Sequence, residues 1–129
     1  MAGKFTIGVD FGTLSARAVA FELATGKEVA EAVFDYPHGV MDLQLPSGKK
    51  LPPQFALQHP QDYLDALAYT VKTLLKSVPA EEVAGIALDF TTCTVVPVDE
   101  KGTPLCMQPE FADEPHAYVK LWKHHGAVK

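Results

Sequence analysis

The sequence has 129 residues, 47% of them hydrophobic and 21% charged. This length and composition predict a globular protein of one domain with a hydrophobic core. A formal net charge of −5 argues against nucleic-acid or anionic-membrane partners, so an anionic ligand must be held by local groups. Two cysteines, Cys93 and Cys106, are too few for a disulfide framework. The N-terminus shows no apolar signal region and no run of 18 apolar residues occurs, so we expect a cytoplasmic protein.

A β-hairpin is predicted at the start of the chain. Apolar residues alternate with Thr, Gly and Asp from Phe5 to Asp10, and larger residues alternate with alanines from Ala16 to Phe21, as in two strands. The residues between them, 11–14, form a tight turn. Glycine at position 12 permits a positive φ and allows another group to approach the backbone closely.

The residues around this turn are those that a phosphate and its metal ion need. Backbone N–H groups and the hydroxyls of Thr13 or Ser15 can donate to phosphate oxygens, and Arg17 adds positive charge. Asp10 can hold Mg²⁺ through water, because Mg²⁺ releases its hydration shell reluctantly. A purely structural explanation stays open here, with Asp10 capping the turn and Arg17 solvated at an edge.

The residues from 27 to 79 predict a third strand that completes an antiparallel meander, then a long irregular loop, called the excursion below, and then a helix. A third strand is expected over residues 27–34, antiparallel to the second. Residues 35–58 are rich in proline and glycine and predict a long irregular excursion, either functional or a solvated connector. A helix is expected between Pro60 and Pro79. Its predicted apolar face consists of Tyr63, Leu64, Leu67, Val71, Leu74, Leu75 and Val78.

The nearly apolar run 83–90 predicts a central strand covered on both faces, and the preceding helix makes it parallel to the first strand. Ligands collect beyond the carboxyl ends of strands in open α/β sheets, so Thr92 and Cys93 are candidate ligand residues. The structural alternatives are strand propensity for the threonines and a small buried apolar group for Cys93.

The last third predicts a hairpin and a helix. The hairpin has its turn at residues 99–102. The helix is expected over residues 115–125, with Pro115 near its start. His124 and His125 are adjacent and therefore point about 100° apart on a helix, which disfavours a shared metal ion.

Four segments together resemble the FGGY carbohydrate kinases of the actin/hexokinase/Hsp70 superfamily, in particular the members that phosphorylate L-ribulose. The first is shared widely in that superfamily, whereas the last is long and distinctive. They are Val9-Asp10-Phe11-Gly12-Thr13-Leu14-Ser15, Tyr36-Pro37-His38-Gly39-Val40-Met41-Asp42, Leu88-Asp89-Phe90-Thr91-Thr92-Cys93-Thr94, and Pro109 through Asp113 with His116 through His125.

The resemblance implies an α/β, ribonuclease H-like (actin-like ATPase) domain with a mixed sheet: a three-strand antiparallel meander, then a helix and a parallel central strand. It implies ATP and Mg²⁺ as cofactors and L-ribulose, phosphorylated at its terminal hydroxyl, as substrate. By position, Asp10 supports the metal. Gly12, Thr13, Ser15 and Arg17 contact the nucleotide phosphates, and Thr92 and Cys93 contact the sugar. Homo-oligomerisation stays open.

Three departures from the family pattern stand out. Leu14 replaces a hydroxyl residue of many relatives, so one side-chain phosphate donor is absent while the backbone N–H remains. Residues 111–115 keep only Asp113 of a Trp-x-Asp-x-Arg pattern. Family members are also several times longer, and their second ATPase domain supplies the catalytic aspartate. We therefore expect residues 1–129 to be the N-terminal part of the first kinase domain, and inactive alone.

Two other function classes remain open at this point. One is a stand-alone nucleotide- or sugar-binding regulatory module without catalysis. The other is a superfamily relative with an ATPase-driven conformational role, which the sugar-side residues Thr92 and Cys93 disfavour.

Overall fold

A computed structural model describes residues 3–127, and the chain divides into two compact units. The first unit comprises the residues up to 36 together with 63–90, and the second comprises 37–62 together with the residues from 91 onward. The regular elements, in chain order, are β1 (Phe5–Phe11), β2 (Ser15–Glu22), β3 (Glu28–Asp35), β4 (Leu57–Gln58), α1 (Pro60–Leu74), β5 (Val83–Phe90) and β6 (Val119–Lys120).

The first unit is a four-stranded mixed sheet in the order β3-β2-β1-β5. Strands β1, β2 and β3 form the predicted antiparallel meander, and β5 pairs with β1 in the parallel direction, as expected for a strand reached through a helix. The predicted mixed α/β fold with its meander is confirmed. The first strand begins at Phe5, and Met1 and Ala2 lie outside the described residues.

The core of the first unit lies between one face of this sheet and helix α1. Alternation along β1 buries Ile7, Val9 and Phe11 on that face, because successive side chains of a strand point to opposite sides. The helix contributes Ala66 and Leu74, which are both fully buried. Most of the predicted apolar helix face packs here, but Leu64 is 54% exposed, so its assignment to the core was wrong.

Strand β5 is not the central, doubly covered strand that its composition predicted. It lies at an edge of the sheet, and every residue from Ala84 to Phe90 is exposed. Apolar side chains favour burial, but a strand is buried only where other elements pack on it. No strand among residues 3–127 pairs with the outer side of β5.

The second unit contains little regular structure. Residues 37–58 are the predicted irregular excursion, anchored where Met41 and Leu57 exchange two backbone hydrogen bonds of 2.8 and 2.9 Å. The short strands β4 and β6 pair antiparallel. The core of this unit is a separate apolar cluster of Met41, Leu45, Phe55, Leu57, Cys106, Ala117 and Tyr118.

The predicted helix over residues 115–125 was wrong. The structure has a 3₁₀ turn at Pro115–Ala117, and the chain then becomes extended in β6. Tyr118, Val119 and Leu121 are all buried, and β6 pairs with β4 through backbone hydrogen bonds that a helix would not leave free. Pairing with β4 and burial in the apolar cluster of the second unit therefore favour an extended segment, although the spacing of its apolar residues predicted a helix.

The predicted hairpin around residues 99–102 is present in reduced form, as one bridge between Val98 and Pro104. Asp99 organises its turn, because its Oδ1 accepts the backbone N–H groups of Lys101 and Thr103, each at 2.8 Å. Within the described part of the chain, no helix is both long and apolar enough to cross a bilayer.

Candidate functional site

The first group of candidate residues surrounds the β1–β2 turn. The N–H of Gly12 donates to the carbonyl of Ser15 at 2.9 Å and closes the turn. A Cβ at position 12 would lie 3.1 Å from that carbonyl, so the glycine serves close backbone approach. Gly12 does not use the positive φ that glycine permits, since the glycines with positive φ are at positions 26, 39, 48 and 102.

Asp10 lies exposed near the end of β1, on the sheet face opposite the core. Register places it across from Arg17 in β2 and beside Asp89 in the parallel strand β5. All three side chains line an open cleft of about 420 Å³ in the first unit, together with small residues such as Gly8. The strand ladder therefore brings one cation and two carboxylates to the same surface.

Arg17 has a partner on this surface, since its guanidinium forms an ion pair with the carboxylate of Glu31. Both side chains are about half exposed, at 57% and 48%, so the pair is screened by solvent and open to exchange. Thr13 and Ser15 are half-buried in the turn. The structure thus brings together all five phosphate-side residues that the sequence singled out, with Arg17 already engaged.

The donor set at Asp10 fits a hydrated Mg²⁺. Mg²⁺ is commonly held by one or two carboxylates together with substrate phosphates, keeping several waters. Asp10 and Asp89 supply two such carboxylates from adjacent strands. Across residues 3–127 there is no cluster of three or more His, Cys, Asp or Glu side chains that would form a protein cage for a metal.

Asp89 is a residue whose place beside Asp10 the sequence analysis missed. The parallel pairing of the two strands was predicted, but their register was not, and a shift of one residue would have turned Asp89 to the other face. A comparison of the two strand endings, each with an aspartate before a phenylalanine, could have indicated it.

The second group lies in the other unit, in the turn that follows β5. Cys93 adopts a left-handed conformation with φ 58°, which is uncommon for a residue with a side chain. It is exposed, so the alternative of a small buried group was wrong. The hydroxyls of Thr91 and Thr94 lie 2.6 Å apart across the turn, and Thr92 points to solvent. The threonines follow the strand rather than extend it.

Trp122 shares an open cleft of about 460 Å³ with Thr91, Thr92 and Cys93. Val95 and Lys120 fix this arrangement by exchanging two backbone hydrogen bonds of 3.2 and 2.8 Å, which places the turn next to the residues after β6. The indole is 53% exposed, unusual for so large an apolar side chain. Trp122 was not among the candidate ligand residues, because the sequence predicted a helix over residues 115–125.

A histidine cluster was also missed. Asp62, in the first turn of α1, is buried, and its carboxylate accepts the backbone N–H of His38 at 3.1 Å and faces the ring Nδ1 at 2.7 Å. The ring of His38 stacks on that of His59 with centroids 4.4 Å apart. Asp62, which follows the excursion in sequence, therefore holds His38 at the beginning of the excursion through these hydrogen bonds.

The titratable groups around the second core are structural. Burial raises the pKa of the Cys106 thiol to about 11, so it is an inert thiol. Burial also raises the pKa of Tyr118, whose hydroxyl donates to the carbonyl of Ala112 at 2.8 Å. Burial lowers the pKa of Lys120, whose ammonium donates to the carbonyls of His116 and Tyr118.

Comparison with curated proteins shows close similarity to one kind of enzyme. The chain is 56% identical over 117 residues to the ribulokinase of Bacillus licheniformis, covering 88% of this chain and 21% of that protein. It is 52% identical over 127 residues to the ribulokinase of Shouchella clausii and 51% identical over 130 residues to that of Halalkalibacterium halodurans, covering 96% and 98% of this chain. It spans less than a quarter of the length of these relatives. No protein-family model matches the chain.

Solved structures share the fold. A xyloylose kinase from Brucella ovis matches with a TM-score of 0.69 at 17% identity, covering 95% of this chain and 22% of that one. A xylulose kinase from Rhodospirillum rubrum matches with a TM-score of 0.61 at 24% identity, covering 77% and 18%. These matches support the fold of FGGY-type sugar kinases, and the expected actin-like ATPase fold class is confirmed.

Proposed function

We propose, on the premise that this chain resembles the ribulokinases along nearly its whole length, that it is the N-terminal part of an ATP-dependent kinase that phosphorylates L-ribulose at its terminal hydroxyl. The observation that carries the proposal is the identity of 51–56% to ribulokinases, far above that to the sugar kinases of known structure. The two surfaces described above agree with it, one suited to phosphate and metal and the other to a sugar.

The β1–β2 turn is proposed to hold the nucleotide phosphates. The N–H of Thr13 and the hydroxyls of Thr13 and Ser15 would donate to phosphate oxygens, and Gly12, whose own N–H closes the turn, would keep the backbone open to the phosphate. Asp10 would hold Mg²⁺ through water, with Asp89 beside it. When bound, Mg²⁺ neutralises charge on the phosphates. Arg17 would exchange part of its contact with Glu31 for a phosphate oxygen, since both offer the guanidinium an anion.

The turn after β5 is proposed to hold the sugar. Thr92 and Cys93 present polar groups to the cleft, and the exposed indole of Trp122 offers an aromatic face. The C–H groups of a sugar carry partial positive charge from the adjacent oxygens, so they are attracted to the negative face of an aromatic ring. Small-molecule sites commonly combine such an apolar wall with a few convergent polar groups.

No catalytic residue is assigned within residues 1–129. The family resemblance places the aspartate that accepts the sugar proton in a second domain, and phosphoryl transfer depends on positioning from both sides of a cleft. The isolated chain is therefore proposed to lack kinase turnover, since loss of a general base alone commonly removes about 10²–10⁴-fold of rate.

The experiment uses a chimera in which this chain replaces the matching 130 residues of the Halalkalibacterium halodurans ribulokinase. We expect the chimera to release ADP in a manner dependent on L-ribulose, while the isolated chain does not. Asp10→Asn should lower turnover on the order of 10²–10³-fold, as for other preorganised charge-stabilising groups, with little change in melting temperature.

Asp42→Asn is the matched control, since Asp42 is an exposed aspartate of the excursion and carries no proposed role. Ordinary turnover by the isolated chain would refute the assignment of catalysis to a second domain. A folded chimera whose ADP release does not depend on L-ribulose would refute the proposed function. An Asp10→Asn variant with a lower melting temperature but normal turnover per folded molecule would refute the role of Asp10.

A further inference from the structure

The carboxylate directly opposite Arg17 is not the one that Arg17 binds. Register pairs Arg17 in β2 with Asp10 in β1, and directly opposite residues of antiparallel strands have their Cβ atoms about 4.5–5.5 Å apart. An ion pair between these two residues is therefore the expected contact. The guanidinium instead pairs with Glu31 of β3, and within residues 3–127 it forms no ion pair with Asp10 or Asp89.

The order of the strands explains how Glu31 reaches Arg17. Strand β2 lies between β1 and β3, so Arg17 has an acidic side chain available on either side. Its direct partner in β3 is Val33, and Glu31 lies two residues away on the same face, a diagonal neighbour at about 7–8 Å. Long side chains span that distance, and those of Arg17 and Glu31 are both long and about half exposed. The guanidinium is therefore held by the β3 side of the sheet.

The two aspartates of this cleft differ in what they already bind. One carboxylate oxygen of Asp89 accepts the backbone N–H of Phe90 at 2.9 Å. Asp10 is exposed, and no hydrogen bond or ion pair engages its carboxylate within residues 3–127. Asp10 therefore keeps both oxygens for the waters around a cation, even though an arginine lies directly opposite it.

We infer that Glu31 is a positioning residue of this surface: by holding Arg17 it prevents the guanidinium from pairing with Asp10, which stays available to a hydrated divalent cation. Without Glu31, the carboxylate opposite Arg17 becomes its partner. A guanidinium can engage both oxygens of a carboxylate at once, so it would compete with the waters of the cation. This assignment rests on the role of Asp10 in the proposed function.

A double-mutant cycle in the chimera described above tests this role, with Mn²⁺ as the probe because carboxylate and water ligands suit Mg²⁺ and Mn²⁺ alike. The dissociation constant of Mn²⁺ is measured in the ADP-loaded chimera from the EPR signal of the free ion. Glu31→Gln should weaken Mn²⁺ binding by about two- to fivefold, the size of a favourable exposed ion pair. In an Arg17→Gln background this loss should disappear, because no guanidinium is left to pair with Asp10.

Glu28→Gln is the matched control. Glu28 is exposed, lies on the same strand as Glu31 and lines the same cleft, but Arg17 pairs with Glu31 and not with Glu28. Its substitution removes the same charge and should change the dissociation constant of Mn²⁺ by less than about twofold. A kinetic measurement adds a second readout. Glu31→Gln should raise the Mg²⁺ concentration for half-maximal turnover by about two- to fivefold, while kcat at saturating Mg²⁺ and the melting temperature stay unchanged, since excess cation displaces the guanidinium.

Equal effects of Glu31→Gln and Glu28→Gln on Mn²⁺ binding would overturn the role of Glu31. So would a loss that persists in full in the Arg17→Gln background, since Glu31 would then act through its charge alone. Unchanged Mn²⁺ affinity in Asp10→Asn would refute both the metal role of Asp10 and the positioning role of Glu31. A chimera that shows the expected coupling between Glu31 and Arg17 but no ADP release dependent on L-ribulose keeps the inference and refutes the proposed function.

Discussion

The two units of this chain are stabilised in different ways. The first is a sheet with a continuous ladder of backbone hydrogen bonds and one helix over it, and its buried side chains follow the periods of strand and helix. The second has short strands and 3₁₀ turns, and contacts between side chains and backbone hold distant segments together, as Asp62 holds His38. The difference teaches that the first unit depends on its core, whereas the second also depends on individual polar contacts.

The largest effect should come from the core of the first unit. Phe11 is 2% exposed, stacks on Phe90 at 4.4 Å and meets the edge of Tyr63 at 5.8 Å. Phe11→Ala should lower the free energy of unfolding by about 3–5 kcal/mol, measured by urea denaturation. Leu23→Ala, at a position 52% exposed in the same unit, is the control. A loss at Phe11 no greater than at Leu23 would mean that the sheet core is not what stabilises this unit.

A smaller effect should follow removal of a polar contact in the second unit. Asp62→Ala removes the buried carboxylate that accepts the backbone N–H of His38 and should cost about 1–3 kcal/mol. Asp62→Asn keeps an acceptor oxygen and should recover part of that loss. Asp42→Ala removes an exposed aspartate and should be neutral. Equal values for Asp62→Ala and Asp42→Ala would show that the second unit does not rely on this contact.

A substitution in the cleft of the second unit should change sugar binding rather than the free energy of unfolding. Thr92 is exposed beside Trp122, so in the chimera Thr92→Phe should raise the KM for L-ribulose by about tenfold or more while leaving the KM for ATP unchanged. In the isolated chain Trp122 is the only tryptophan, so its fluorescence reports directly on occupation of this cleft. Unchanged sugar kinetics together with a lower melting temperature would instead assign Thr92 to packing.

The smallest effect concerns pH. Burial lowers the pKa of His124 below its usual 6.5, and the nearby positive charge of Lys120 and the rings of His116 and His125 act in the same direction. The neutral Nδ1 of His124 accepts the backbone N–H of Ala56 at 3.2 Å, and protonation would remove this acceptor. The contribution is therefore fully present above pH 6.5 and is lost as the pH falls below it towards the pKa of the folded state.

The size of this loss should be about 0.5 kcal/mol, the lower end for a net hydrogen bond. It is measured as the difference between urea midpoints at pH 7.5 and 5.5, which His124→Gln should reduce. Lys123→Gln, at an exposed neighbouring position that is not among the groups acting on the pKa of His124, should leave it unchanged. An identical pH dependence in both variants would show that the contact of His124 with Ala56 adds nothing to stability.

The sequence was a good guide to the first unit and a poorer one to the second. The strands around Asp10, the third strand and the helix from Pro60 follow from local periodicity, and the structure agrees with them. The segment from Pro115 was assigned the wrong period, because both helical spacing and alternation fit its apolar residues. Its conformation depends on pairing with Leu57 and Val95, far away in sequence.

The candidate residues divide in the same way. Asp10, Gly12, Thr13, Ser15 and Arg17 are neighbours in sequence, so a short motif was enough to group them. Their roles in binding remain predictions. Trp122 and Asp89 reach their places through strand register, which a single sequence does not reveal.

By itself the sequence determined the meander, the parallel return through a helix, the turn at Gly12 and the likeness to sugar kinases. Each of the first three follows from local patterns, and the likeness follows from the order and identity of four short segments along the chain. Only the tertiary structure decided that β5 is an open edge, that Asp89 lies beside Asp10, and that Trp122 faces the turn after β5. The physical reason is that register, burial and cover are properties of pairs of distant segments. An apolar residue carries the tendency to be buried, and its neighbours in space decide whether it is.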